Sequence, residues 1–243
     1  ADVKQGDATR ALTDSSWGNN SYVNQYGEVR PASQVPPELM ARGTAFLGSD
    51  VAIMAGAMSW ISERHLVSAM SNAGGFGVIA GGAMPPEILS TEIAATKAMT
   101  DKPFGVNLIT MHPQLTDLIA ICAQHKVTHV VLAGGLPPAG AIEQIKAFGA
   151  KVICFAPALA LAKKLIRSGV DALIIEDYDK GLLDQSFADA LTRRARAAGK
   201  IVCVDPKPSN PIQWNEVTCI TPNRPEAFRC AGRPLREPVD PPT

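Results

Sequence analysis

The sequence predicts an α/β fold: a parallel (β/α)8 barrel of the TIM type, irregular in its last two units and preceded by an irregular arm. Three observations predict it. From Val51 onward, short aliphatic or β-branched runs alternate with longer stretches of helical period. Eight such runs occur, and the first seven begin 20 to 30 residues apart, the spacing of repeated βα crossovers. The runs are apolar on both faces, as strands covered on both sides must be.

Residues 1–36 stand apart. They are rich in Asn, Ser, Gln, Asp and Gly with weak apolar periodicity, and end in the Val35-Pro36-Pro37 break. They are expected to form an irregular arm, with Trp17, Tyr22 and Tyr26 as its candidate anchors. Residues 37–176 and 177–243 then read as two stretches of βα units that complete one domain. The runs are VAIMAGAM (51–58), FGVIAGG (76–82), FGVNLIT (104–110), HVVLAGG (129–135), KVICFAP (151–157), DALIIE (171–176), IVCVDP (201–206) and VTCITP (217–222). Helical stretches lie between them, among them SERHLVSAMSNAG, PPEILSTEIAATKAMT, HPQLTDLIAICAQHK and ALALAKKLIRSG. Ser62 is the expected N-cap of the first, and Gly74, Gly149, Gly169 and Gly199 are the expected helix C-caps. The link from Pro206 to Val217 holds Pro208 and Pro211 and is too short for an ordinary helix, so the last two units are expected to be distorted.

Composition excludes several function classes. The 243 residues carry 23 basic and 23 acidic side chains, so there is no electrostatic footprint for nucleic acid or an anionic membrane. The apolar run Val152–Ala162 is shorter than the roughly 20 residues that span a bilayer. No secretory leader is expected. Five cysteines (Cys122, Cys154, Cys203, Cys219, Cys230) form no C-x-x-C pair or Cys/His cluster, so no structural zinc site is predicted and a reducing cytoplasm is the expected setting.

In a parallel α/β fold, chemistry collects at the carboxyl ends of the strands. Here those ends read Ala55-Gly56-Ala57-Met58, Ala80-Gly81-Gly82, Thr110-Met111-His112, Ala133-Gly134-Gly135 and Ala156-Pro157-Ala158, with Asn107 inside the third run. Small residues at so many ends let backbone amides approach a flat ligand closely.

The stretches AGAMSWISERHLVSAMSNAGGFGVIAGG, DKPFGVNLI, HVVLAGGLPP and KVICFAPALALAKKLIRSGVDALIIE resemble the nitronate monooxygenase family and the related FMN-dependent enoyl reductases. The resemblance runs in continuous register over residues 41–176. It implies FMN at the carboxyl mouth of a barrel, a small-molecule substrate, and oxidation of an alkyl nitronate. It would set Gly56, Ala57 and Met58 against the flavin ring, offer the Asn107 amide to its polar edge, bring Ala133, Gly134 and Gly135 close beneath it, and match Glu176 to a family glutamate.

The same resemblance breaks off after Glu176. The family continues there with a Glu-x-x-Glu-Ala-Gly-Gly-His type segment whose histidine accepts the proton. This chain reads Asp177-Tyr178-Asp179-Lys180-Gly181, and no histidine follows His129. His112, just beyond the third run, is the remaining candidate for a catalytic histidine. The family's Gly-rich phosphate loops are replaced by Asp205-Pro206-Lys207 and Thr221-Pro222-Asn223, and proline has no amide to donate.

From about Asp171 the chain resembles a second family, the ribokinase-like sugar kinases of the heptose-phosphate branch. The matching pieces are IIEDYDKGLL, ARAAGKIVCVDPK and VTCITPNRPEAF. This resemblance implies a weak metal-site alternative at Asn223 and Glu226, an amide and a carboxylate suited to magnesium. The kinase Gly-Ala-Gly-Asp loop is absent from the sequence. Three functional readings follow: an FMN-dependent oxidoreductase impaired by the missing histidine, a composite or engineered α/β chain without evolved activity, and, least favoured, a sugar kinase fragment.

Overall fold

The computed structural model describes residues 21–23, 29–31 and 37–220, except 157, 178–180, 182, 208, 211 and 216. Within the amino-terminal arm, β1 (Ser21–Val23) and β2 (Val29–Pro31) pair antiparallel. Trp17 and Tyr26 lie outside the described residues.

Seven of the eight predicted runs contribute strands to one parallel sheet: β3 (Gly77–Ala80), β4 (Phe104–Ile109), β5 (His129–Ala133), β6 (Lys151–Phe155), β7 (Ala172–Glu176), β8 (Ile201–Asp205) and β9 (Cys219–Ile220). The first run forms only a parallel bridge from Met54 to Phe76, at the β3 edge. The strands follow one another in chain order. A doubly wound sheet reverses its order partway, whereas a barrel does not. Among the described residues the ladder is open, and the last run continues past Ile220 outside them.

Helices α1 (Pro37–Leu47), α2 (Arg64–Asn72), α3 (Pro86–Met99), α4 (Leu115–Gln124), α5 (Ala141–Ala147), α6 (Leu159–Arg167) and α7 (Gln185–Ala197) fill the connections. Gly74, Gly149, Gly169 and Gly199 each follow a helix C-cap at positive φ, as their spacing predicts. No helix forms between β8 and β9 among the described residues; single turns such as Asn210 N–H to Lys207 O (2.9 Å) fill the proline-rich link.

Strands β3 to β7 bury both faces. Outer residues such as Val106, Leu132, Cys154 and Leu173 pack on Leu89, Leu118, Ile145 and Leu165 from the helices, forming the main core. Inner residues Phe76, Val78, Val131, Ile153 and Ala172 make a second, smaller cluster with Leu47 of α1. Burial pushes the Cys122 and Cys154 thiols up to about 12, so both behave as small hydrophobes.

The α1 carboxyl end stoppers the amino end of the inner face. His129, at the start of β5, donates from Nε2 to Phe46 O (2.9 Å), and Lys151 Nζ donates to the same carbonyl. Its ring meets Phe46 and Phe76 edge-on, at 5.3 and 4.8 Å between centroids.

The point where the first resemblance ends does not interrupt the sheet. β7 pairs with β8 over five residues, from Ala172 opposite Ile201 to Glu176 opposite Asp205. Residues from both sides of Glu176 therefore share one hydrogen-bonded layer.

Candidate functional site

The carboxyl edge of the sheet gathers the predicted site residues, and local hydrogen bonds fix the first corner. Met58 N–H donates to Ser62 Oγ (2.9 Å), and that hydroxyl donates to Gly56 O (3.0 Å). Ala80 N–H, at the end of β3, donates to Ser62 O (2.9 Å). Ser62 thus clamps Gly56, Ala57 and Met58 over the end of β3. It is not the N-cap the sequence suggests: Glu63 caps α2, its Oε1 accepting from His65 N (3.0 Å). A serine two residues ahead of a helical period reads equally well as a cap, so only the fold separates the roles. Ser62 is almost fully buried. Ser62→Ala is expected to destabilise the chain by about 2 kcal/mol, for two lost hydrogen bonds, in a denaturant titration.

Register puts the other residues on one face. Ala80, Asn107, Val131, Ile153 and Ala172 lie opposite one another in sequence across β3 to β7. Because Val131, Ile153 and Ala172 belong to the inner cluster, Asn107 faces inward too. Its amide makes no hydrogen bond among the described residues. Ala133 sits two residues beyond Val131, on the same inner face, and Glu176 four residues beyond Ala172.

Gly134 and Gly135 turn the chain away at φ of 90° and 112°. A Cβ on Gly134 would stand 3.1 Å from Ile109 Cγ2, whereas one on Gly135 or Gly56 would meet nothing within 4 Å. The first glycine is required by backbone and packing together, and the other two face open space.

His112 caps a turn. Its Nδ1 accepts from Gln114 N–H (3.1 Å) at the entry to α4. With Nδ1 occupied, the neutral ring carries its proton on Nε2. Beside it lies a cavity of about 200 Å³ reaching from Thr110 to Gln144.

Charge divides the rim in two. Residues 55–62, 80–86, 110–116 and 133–141 contain no Lys, Arg, Asp or Glu. They expose large apolar side chains instead, with Met111 78% and Trp60 69% accessible, joined by Met58, Ile61 and Leu136. Charge returns at β7 and β8, where Glu176 lies opposite Asp205. Asp177, unnoticed in the sequence as a structural group, is buried there; Asn210 Nδ2 donates to its Oδ2 (3.0 Å) and to Leu183 O (3.2 Å), tying together the loops after both strands. Among the described residues no group of three or more His, Cys, Asp or Glu is placed to hold a metal. Asn223 and Glu226 lie outside the described residues. No helix among the described residues is long and apolar enough to cross a membrane.

Known proteins sort onto this geometry. The chain is similar, at 33% identity over 168 residues, to an octahydro-indene-carboxyl-CoA dehydrogenase of Rhodococcus jostii, covering 64% of this chain and 46% of that protein. It is 26% identical to a nitronate monooxygenase of Paraburkholderia phytofirmans, over 56% of this chain and 47% of that one. Among solved structures, FabK from Thermotoga maritima aligns with a TM-score of 0.61 and 32% identity, over 68% of this chain and 53% of FabK. The chain is also 40% identical over 73 residues to the bifunctional protein HldE of Paramagnetospirillum magneticum, 30% of this chain and 14% of that protein. The chain spans less than half the length of the curated relatives it matches. A family profile for nitronate monooxygenase matches residues 41–184, which carry the Ser62 clamp, Asn107 and the Gly134 corner, and the chain belongs to that family.

Proposed function

We propose that this chain holds a flavin, as FMN, against the rim formed by Gly56–Met58, Asn107 and Ala133–Gly135, and that its chemistry is oxidation of an alkyl nitronate at low turnover. The observation that carries this reading is the inner-face register of Asn107 beside the Gly134 corner, within the family match.

The residues fit the ring end of the group. Gly56 and Gly135 leave open space where a side chain would stand. Asn107 brings both a donor and an acceptor to the inner face. Met58 and Trp60 supply exposed apolar surface that can exclude water from a ring plane. The phosphate end fits poorly at β8, where Asp205 precedes Pro206, a residue with no amide to offer. When bound, the flavin supplies the electron transfer and the reaction with oxygen. The chain's own tasks are to orient the ring, keep it dry and move one proton. For that proton, His112 is the proposed group at this rim; with Nδ1 engaged by Gln114, it donates from Nε2 more readily than it accepts. The family histidine after Glu176 is missing, which accounts for the low turnover.

Titration with FMN, followed by flavin absorbance and fluorescence, tests the reading. Saturable binding is expected, and Asn107→Leu should weaken it about tenfold, a hydrogen bond's share. Riboflavin should bind within about tenfold of FMN, because the phosphate has few partners. A chain that takes up neither flavin would end the proposal.

One observation favours a second reading. The nitronate monooxygenase profile ends at residue 184, the sequence from about Asp171 resembles the heptose-phosphate kinases and the chain is similar to HldE over 73 residues, yet β7 and β8 remain in register. A composite chain whose borrowed βα units complete the fold without evolved activity would look like this. It predicts a stable, colourless protein that FMN does not stabilise.

A further inference from the structure

We propose that the cavity between the loop after β4 and the start of α5 is a binding site for an uncharged aliphatic amide group of a ligand. Its volume is about 200 Å³, against the roughly 150 Å³ of an engineered apolar cavity that takes up benzene. It can therefore hold a short segment of a larger molecule.

The lining decides the chemistry. Thr110, His112, Thr116 and Gln144 supply the polar side chains, and Pro113, Ile119, Pro138 and Ala141 supply aliphatic wall. No Lys, Arg, Asp or Glu lines the cavity, so a charged ligand would find no counter-charge there.

Thr110 is the lining residue that lacks a partner. It is 5% exposed, and its buried Oγ1 has no hydrogen-bond partner among the described residues. Other buried threonines are paired: Thr96 donates to Glu92 O (2.8 Å) and Thr192 to Ala188 O (2.8 Å). A buried hydroxyl left unpaired is costly, and a ligand's polar atom would recover that cost.

The polar set both donates and accepts. Thr110, Thr116 and Gln144 can do either, and His112 donates at Nε2 because Gln114 N–H occupies Nδ1. An ammonium only donates and would leave His112 Nε2–H unmatched, while a carboxylate could accept from all four groups but would find no counter-charge. A secondary amide does both. The cavity also backs onto the β5 corner: Thr110 N–H donates to Ala133 O (2.8 Å), and a Cβ on Gly134 would stand 3.5 Å from Thr110 Oγ1. A ligand anchored here by an amide would extend toward that corner. This inference stands independently of the flavin and nitronate reading.

The test uses the full chain without added flavin. N-butylacetamide, butyl acetate and butyrate are titrated separately and followed by amide chemical shifts. N-butylacetamide is expected to shift the resonances of Thr110, Thr116 and Gln144 saturably, with butyl acetate at least tenfold weaker and butyrate silent. Thr110→Val keeps the side-chain shape, should melt no lower than the parent, and should weaken N-butylacetamide at least tenfold. Shifts that miss the cavity, equal binding of the ester, or undiminished binding to Thr110→Val would each overturn the proposal.

Discussion

Gly77→Ala is expected to cost about 3 kcal/mol, the upper range for forcing an extra methyl into a packed site, and to lower Tm by about 6–12 °C. The added Cβ would stand 2.4 Å from Val67 O and 2.8 Å from Val67 Cα. Both are backbone atoms of α2, so no rotamer change relieves the contact. β3 cannot retreat either. Gly77 lies opposite Phe104 in the ladder, and its N–H donates to Ser71 Oγ (3.2 Å), which in turn donates to Pro103 O (3.1 Å). The helix must lift from the sheet, taking buried Val67 with it. Gly149→Ala is the control. Its φ is 86°, but nothing lies within 4 Å of the added atom, so only left-handed strain of about 1–2 kcal/mol applies. Equal melting of the two variants would show that the α2–β3 contact is not the tight point drawn here.

The second large effect is on pH. Burial pushes the His129 imidazole down to about 4, against a smaller raising effect of its bond to Phe46 O and a further lowering by Lys151. The folded ring is neutral, and the unfolded ring gains a proton below about 6.5. Above that pH the residue adds no pH dependence. Between about 6.5 and 4 the unfolded state alone takes up the proton, so stability falls with pH, by roughly 3 kcal/mol in all. The carboxylates of Glu92 and Asp184 are held below their ordinary range by Arg64 and by the Phe187 N–H respectively, so their contribution is lost only at lower pH. His125 is lowered by burial and slopes the same way as His129, so the readout is a difference between variants. His129→Gln can still donate to Phe46 O but cannot titrate. Its denaturation free energy should run flatter than the parent's from pH 6.5 to 4.5. Parallel curves would remove His129 as the group that couples the α1 stopper to pH.

Much of this was written in local chemistry. Apolar runs fixed by period and flanking glycines became β3 to β9, and Gly74, Gly149, Gly169 and Gly199 closed helices because a left-handed residue is a local demand. The first run did not become a full strand. VAIMAGAM is rich in Ala and Gly, and only Met54 forms a bridge, to Phe76. Helix α1 was not foreseen, because its burial of Leu47 depends on an inner face that exists only once the sheet has formed. Ser62, His112 and Thr110 show the same limit. Residue type marks each as polar near a strand end, but type cannot say that Ser62 clamps a turn, that His112 accepts from Gln114, or that Thr110 is left without a partner. By itself the sequence determined strand order, helix ends, the family resemblance over residues 41–176 and the lack of any histidine after His129, since all of these are local or textual. Tertiary structure alone decided that Asn107 and the Gly134 corner share one face and that β8 continues the layer past Glu176. Register between strands is set by packing across the sheet, at separations no local pattern spans.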